Sequence, residues 1–202
     1  MLLYIFSHMN FAPLLSYIEN YITLTEDESL FLQSKIKQRS YLKGQFIVQQ
    51  GDVCNTTNFI VTGCTKMFHA DADGLEHIVM FSEENWWSSD LGSYISQTPA
   101  DYNIQCTEPT KVIQFSFLNQ EELFEKIPKL ERFFRIILEK ALVASQKRIV
   151  RNFSLPAKER YVYFKEQYPT IEQRIPQYMI ASYLGITKEF LSKIKSQLIL
   201  KQ

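Results

Sequence analysis

Three textures of hydrophobic and polar positions follow one another along the chain. From Asn10 to about Lys37, apolar residues recur at helical spacing: Leu14, Leu15, Ile18 and Ile22, then Leu30, Phe31 and Ile36. Thr25 stands before Glu26, Asp27 and Glu28, an N-cap followed by acids set against the positive end of a helix. The segment predicts short helices that lead into the next region.

From Ser40 to about Leu118 the pattern changes to short runs of aromatic and β-branched residues separated by turn signals. Phe46-Ile47-Val48 runs into Gln50-Gly51-Asp52, and Phe59-Ile60-Val61 into Thr62-Gly63. Lys66-Met67-Phe68 leads to Asp71-Ala72-Asp73-Gly74, a hairpin turn, with His77 to Phe81 as the returning strand. Asn103 to Cys106 and Lys111 to Phe115 complete the series. Strands so short and evenly spaced predict an antiparallel barrel, roll or jelly roll, a class that hosts ligand pockets and enzymes alike.

From Asn119 to about Phe153 helical periodicity returns. Leu130, Phe134, Ile137, Ala141 and Ala144 alternate spacings of four and three, a heptad-like seam, and Leu138, Leu142 and Ile149 form a second stripe. Two stripes fit one helix packed on the roll and on a partner helix of a dimer; a single wide core-facing stripe within one chain is the alternative.

The last fifty residues carry the sharpest pattern. After Pro156 and an amphipathic stretch to Tyr168, residues 177–198 read as two helices joined by a tight turn. Ile180 and Leu184 point inward from the first helix, and Ala181 is small where the helices cross. Gly185 accepts positive φ where the chain reverses. Ile186 plugs the turn, Thr187 caps the second helix, and Leu191 and Ile194 supply its buried face. This is a helix-turn-helix pattern. A second helix entering a major groove offers Lys188, Glu189, Ser192 and Lys193 to base edges, and Thr187, Lys195 and Ser196 to phosphates.

Charge sharpens this division. The chain has 202 residues with 22 basic and 22 acidic side chains. Residues 1–145 hold 11 Lys/Arg against 18 Asp/Glu, a balance of −7, and residues 146–202 hold 11 against 4, a balance of +7. A basic tail on an acidic body fits a polyanion-binding module; mutual attraction of the two parts is the alternative. At 46% hydrophobic and 14% aromatic the chain can bury a core, which excludes wholesale disorder. No apolar run is long enough for a membrane span, and Met1 to Phe6 lacks the basic flank and cleavage site of a signal peptide. A soluble protein of the cytoplasm is expected.

Candidate chemistry is sparse. Cys54, Cys64 and Cys106 are odd in number and widely spaced, so neither a disulfide framework nor a metal knuckle is expected. His8, His69 and His77 complete no zinc set. A cupin-like metal site needs a histidine after these, which is lacking, and no nucleophile elbow, P-loop or dinucleotide fingerprint is present. Enzymatic activity, a metal and a cofactor are therefore not expected.

A helical lead, a β-roll with Gly51-Asp52 and Gly63, a long helix and a terminal helix-turn-helix together resemble the Crp/Fnr family of bacterial transcription regulators, over nearly the whole chain from about Asn10. The resemblance implies an α+β protein. Its parts are a double-stranded β-helix sensor with helical lead over residues 1–118, a long dimerisation helix over 119–153, and a helix-turn-helix domain over 154–202. It implies a homodimer on a palindromic operator in double-stranded DNA, contact with RNA polymerase, and a small-molecule effector. Met1 to Met9 has no counterpart, which makes Met9 a candidate start. The chain stops at Gln202, where many relatives continue into a β-hairpin wing.

Departures from the family pattern bear on mechanism. Cyclic-AMP-binding members carry a Gly-Glu pair, then an Arg ten residues after the Glu, followed by a small hydroxyl residue. The matching positions here are Ser89, Asp90, Ala100 and Asp101, so a cyclic phosphate would meet a carboxylate and no guanidinium; cyclic AMP is not expected to bind. Clustered cysteines for an iron–sulfur centre and an identifiable haem ligand are lacking. What remains is an aromatic wall of Trp86, Trp87 and Tyr102 beside Ser145 and Gln146, either a pocket for an apolar or aromatic ligand or a filled core. A protein-interaction module with a degenerate helix-turn-helix is the alternative function.

Overall fold

The computed structural model describes residues 10–199; the readings on Met1 to Met9 and on the C-terminal end lie outside them. Helices α1 (Ala12–Glu19) and α2 (Glu26–Lys35) form the lead. The Thr25 N-cap is a reciprocal capping box: Thr25 Oγ1 accepts from the Glu28 N–H, and Glu28 Oε2 accepts from the Thr25 N–H.

Eight strands follow: β1 (Lys37–Tyr41), β2 (Phe46–Val48), β3 (Thr56–Thr62), β4 (Thr65–Ala70), β5 (Glu76–Ser82), β6 (Trp87–Ser88), β7 (Asn103–Cys106) and β8 (Thr110–Ser116). A short helix α3 (Leu91–Ser96) sits between β6 and β7. The strands form two antiparallel four-stranded sheets, ordered β1-β8-β3-β6 and β2-β7-β4-β5, so neighbours in space are mostly distant in sequence, as in a roll. The β4–β5 hairpin turns at Asp71 to Gly74, where Asp71 Oδ1 accepts from the N–H groups of Asp73 and Leu75. β1, β6 and α3 escape a reading by pattern. β1 is a polar edge strand held by backbone pairing to β8, β6 is two residues long, and α3 is six.

Helical structure resumes with α4 (Phe117–Lys126) and α5 (Lys129–Ser154). The single helix expected from Asn119 is broken at Ile127-Pro128, because the residue before a proline is pushed out of the helical region; Ile127 lies at φ −131°, ψ 74°. Helices α6 (Ala157–Gln167), α7 (Ile171–Arg174), α8 (Gln177–Leu184) and α9 (Lys188–Ile199) complete the chain. Among the described residues, no helix is long and apolar enough to cross a membrane.

Two large cores hold the elements together. One joins α1, α2, α4 and the start of α5 to the first sheet, through Leu14, Ile18, Phe59, Phe115, Leu123 and Phe133. The other joins the second sheet to the C-terminal helices, with Phe68, Ile78 and Phe81 packed among Tyr161, Phe164, Tyr168, Ile180 and Leu191. The edge strand β5 is covered rather than exposed. Ser182 of α8 donates to the Glu76 carbonyl (2.7 Å) and accepts from the Ile78 N–H (3.2 Å), and the Arg148 guanidinium donates to the Val79 carbonyl.

Of the seam Leu130, Phe134, Ile137, Ala141, Ala144, the first three need correction as a dimer surface, while Ala141 and Ala144 are exposed and border a cleft between the roll, α5, α6 and α8. Leu130 is wholly buried, and Phe134 and Ile137 pack against the same core, in the same chain. The roll claims this stripe because aromatic contacts draw it in: Phe134 lies 5.4 Å from Trp87 and 5.6 Å from Phe115 between ring centroids. The second stripe faces outward instead. Leu138, Leu142 and Ile149 are exposed, extended by Phe153, which is 89% exposed.

Candidate functional site

The C-terminal pair α8–α9 is built as its sequence predicts. Gly185 ends α8 at φ +64°, a left-handed cap, with the Ile186 N–H donating back to the Ala181 carbonyl. Thr187 Oγ1 accepts from the Phe190 N–H (3.2 Å) at the start of α9. Ile180, Ala181, Leu184, Leu191 and Ile194 are buried together, and Ile186 packs beside them. Thr187, Lys188, Glu189, Ser192, Lys193 and Ser196 remain exposed on the outer side of α9.

Lys195 differs from the others. Its Nζ lies 2.5 Å from Glu172 Oε1, which also accepts from the Tyr161 hydroxyl (2.6 Å). Burial raises the Glu172 carboxyl, but hydrogen bonds from Lys195 and Tyr161 outweigh it and hold the group below the usual carboxylate range. A lysine committed to such a pair is a poor free cation for a phosphate.

A second ion-pair group ties the C-terminal helices to the roll. Arg174 of α7 reaches Glu84 (2.9 Å) and Glu108 (2.6 Å), with Glu83 at 3.4 Å, and Thr170 also donates to Glu83. Glu84 in turn accepts from the Gly63 N–H (2.7 Å). Burial pushes the Glu84 carboxyl up, yet the hydrogen bonds from Arg174 and backbone N–H groups prevail and lower it.

The expected effector residues separate into two places. Ser89, Asp90, Ala100 and Asp101 belong to the loops around α3. Asp90 is buried and its carboxylate accepts three backbone hydrogen bonds: Oδ1 from the Ser93 N–H (3.0 Å), and Oδ2 from the N–H groups of Asp101 (2.9 Å) and Tyr102 (3.1 Å). Ala100 is buried and hydrogen-bonded through its backbone to Gly51 and Asp52. None of these four lines the cleft beside α5.

Trp86, Trp87, Tyr102 and Ser145, by contrast, line a cleft of about 580 Å³ between the roll, α5, α6 and α8; Gln146 does not line it. Sequence reasoning missed most of its polar wall: Lys140, Arg148, Arg151 and Arg160, with Tyr163, Tyr168 and Tyr183. Only the run of basic residues from Lys147 to Arg151 hinted at it.

Cys54, Cys64 and Cys106 are free and buried, and burial raises each thiol, Cys64 to about 11. His69 and His77, eight apart in sequence, are register partners across β4 and β5. Among the described residues, no group of three His, Cys, Asp or Glu is placed to hold a metal ion.

Residues 38–126 match the family model of the cyclic nucleotide-binding domain. No curated protein matches the chain in sequence. Solved structures do match in fold. The c-di-GMP responsive global regulator CLP of Xanthomonas campestris shares 14% identity at TM-score 0.71, over 88% of this chain and 93% of its own. FixK2 from Bradyrhizobium japonicum shares 18% at 0.70, over 82% and 85%. A CooA mutant from Carboxydothermus hydrogenoformans shares 14% at 0.71, over 96% and 86%. Residues 38–126 are thus similar to a cyclic nucleotide-binding domain, and the chain shares the overall fold of these solved structures, as the resemblance to the Crp/Fnr family implies.

Proposed function

We propose that this protein is a dimeric, sequence-specific DNA-binding regulator, with a sensor over residues 1–118, a connecting helical region over 119–153 and a helix-turn-helix over 154–202. The observation that carries the reading is the α8–α9 pair. Its left-handed glycine turn and shared apolar face leave Lys188, Glu189, Ser192 and Lys193 unburied along the first turns of α9, where a major groove would meet them. The fold similarity to CLP, a c-di-GMP responsive global regulator, supports the same reading.

The outward stripe of α5 supports a homodimer. Leu142, Ile149 and Phe153 repeat at spacings of seven and four on one side of a 26-residue helix and are exposed among the described residues. Two such helices side by side would set two copies of α9 about one DNA turn apart, matching a palindromic operator. RNA polymerase is the downstream partner in this reading, and an effector in the roll–helix cleft would bias the arrangement of the two α9 helices.

The test is selection of binding sites from a random duplex library with purified, ligand-free protein, followed by affinity against salt. A palindromic motif with steep salt dependence is expected. Absence of any enrichment, with or without cell extract, would turn the reading to a protein-interaction module.

A further inference from the structure

The cleft between the roll, α5, α6 and α8 has an unusual balance of charge. Four cations line it, Lys140, Arg148 and Arg151 from α5 and Arg160 from α6, and no aspartate or glutamate does. None of the four has a carboxylate partner among the described residues. Tyrosine rings take that place: Lys140 lies 4.5 Å from the Tyr21 ring centroid, Arg148 4.3 Å from Tyr183, and Arg151 4.3 Å from Tyr163.

The hydrogen-bonding state of the wall points the same way. Three buried side-chain donors have no partner among the described residues: Trp87 Nε1, Arg148 Nε and Arg160 Nε. All three residues line this one cleft. Buried polar groups are nearly always satisfied, so three unmet donors, two on guanidinium groups, call for acceptors that the chain does not supply. The rest of the wall is aromatic and aliphatic, with Trp86 and Tyr168 in ring contact at 5.4 Å, and the volume suits a small organic molecule.

We propose that this cleft binds one organic anion with an aromatic or apolar body. Its acidic group, carboxylate, sulfonate or phosphate, is held by Arg148 and Arg160. Its body lies against Tyr183, Tyr168 and Trp86, which are in ring contact in that order. This site is separate from the loops matching the family's nucleotide cassette, whose amides at Asp101 and Tyr102 are already taken by Asp90. A ligand here touches the roll through Trp86 and the C-terminal helices through Arg160 and Tyr183, and so holds the two together. The inference rests on the regulator reading only in calling that ligand an effector.

The experiment titrates the full chain with two fluorescent probes that share an aromatic body, anilinonaphthalene sulfonate and the uncharged phenylnaphthylamine. One sulfonate per chain, bound at least about tenfold more tightly than the neutral probe, is expected from charge-assisted hydrogen bonds. Arg148→Gln and Arg160→Gln each weaken the sulfonate by about tenfold and leave the neutral probe unchanged. Lys147→Gln, outside the cleft, changes neither. Should Arg148→Gln lose the native circular dichroism spectrum, Arg160→Gln carries the comparison. Equal affinities for the two probes, or arginine variants that bind the sulfonate as the parent does, would overturn the proposal and leave a water-filled cleft. The titration contains no DNA, so that failure is separate from failure of the DNA-binding reading.

Discussion

The buried carboxylate of Asp90 accepts hydrogen bonds from the backbone N–H groups of Asp101 and Tyr102 (2.9 and 3.1 Å), closing the loop before β7 onto the start of α3. At the position where nucleotide-binding relatives carry glutamate, this chain holds an internal anion that satisfies the amides of its own loop. A shorter acid here is structural rather than receptive.

Asp90→Ala leaves three N–H groups, at Ser93, Asp101 and Tyr102, without their acceptor. A loss of about 2–4 kcal/mol is expected, since each unmet buried donor costs about 1–3 kcal/mol and local repacking recovers part. Urea unfolding at neutral pH measures it. Cyclic AMP in large excess should leave the unfolding midpoint of the parent protein where it was; a clear rise would contradict the role given to Asp90.

Gly63 and Gly185 both have positive φ, yet their substitutions should differ. A Cβ at Gly185 meets open space, so Gly185→Ala costs only the left-handed backbone, about 1 kcal/mol. At Gly63 a Cβ would lie 2.6 Å from the Pro109 carbonyl oxygen and 2.7 Å from Thr110 Cα, both backbone, besides φ +98°. Gly63→Ala should cost about 3 kcal/mol or more, because the roll itself must shift. Matched thermal melts of the two variants decide the order.

Acid should loosen the C-terminal helices from the roll, through Glu84, and from one another, through Glu172. Both carboxyls have lowered pKa values in the folded chain. Their stabilisation is therefore complete above the ordinary glutamate value of about 4.3 and is lost as pH falls through the lower folded values. Arg174→Gln removes the cation shared by Glu84 and Glu108 and should cost about 1–3 kcal/mol at pH 7, an effect that shrinks below pH 4. A variant with undiminished cost in acid would show that the arginine acts by packing alone.

On α9, Lys193→Ala should relax base preference at one position in each half-site, read from the selected motif. Lys188→Ala should weaken binding and flatten its salt dependence. Lys195→Ala should change that slope little, because Lys195 is paired with Glu172. Equal slopes for the two lysine variants would return Lys195 to the DNA contacts.

The outward stripe of α5 makes a direct prediction for assembly. The parent protein should sediment at twice 23.8 kDa, and Leu142→Asp combined with Phe153→Asp at 23.8 kDa with its circular dichroism retained. A parent that stays at 23.8 kDa at micromolar concentration would remove the dimer.

Signals carried by neighbouring residues were fully legible. The Thr25 capping box, the Asp71–Gly74 hairpin, and the Ala181, Gly185 and Thr187 turn all depend on residues within a few positions of each other, and each forms as its pattern implies. The break before Pro128 was also written locally, although the strong periodicity on either side concealed it. The long-helix seam was harder. Periodicity shows that a helix has two apolar sides without saying which side meets which partner.

By itself, then, the sequence determined the order of roll, long helix and terminal helix pair, through periodicity, turn chemistry and capping, which are short-range properties of the chain. Only the tertiary structure decided the rest. It gave the Leu130–Phe134–Ile137 stripe to the roll and left Leu142, Ile149 and Phe153 outward. It turned Asp90 inward onto the amides at 101 and 102, and paired Lys195 with Glu172. It also brought Trp87 of β6, Arg148 of α5 and Arg160 of α6 to one cleft. The reason is physical: contacts between residues 60 or 70 positions apart depend on how whole elements pack, and no local pattern encodes where an element's far side will lie.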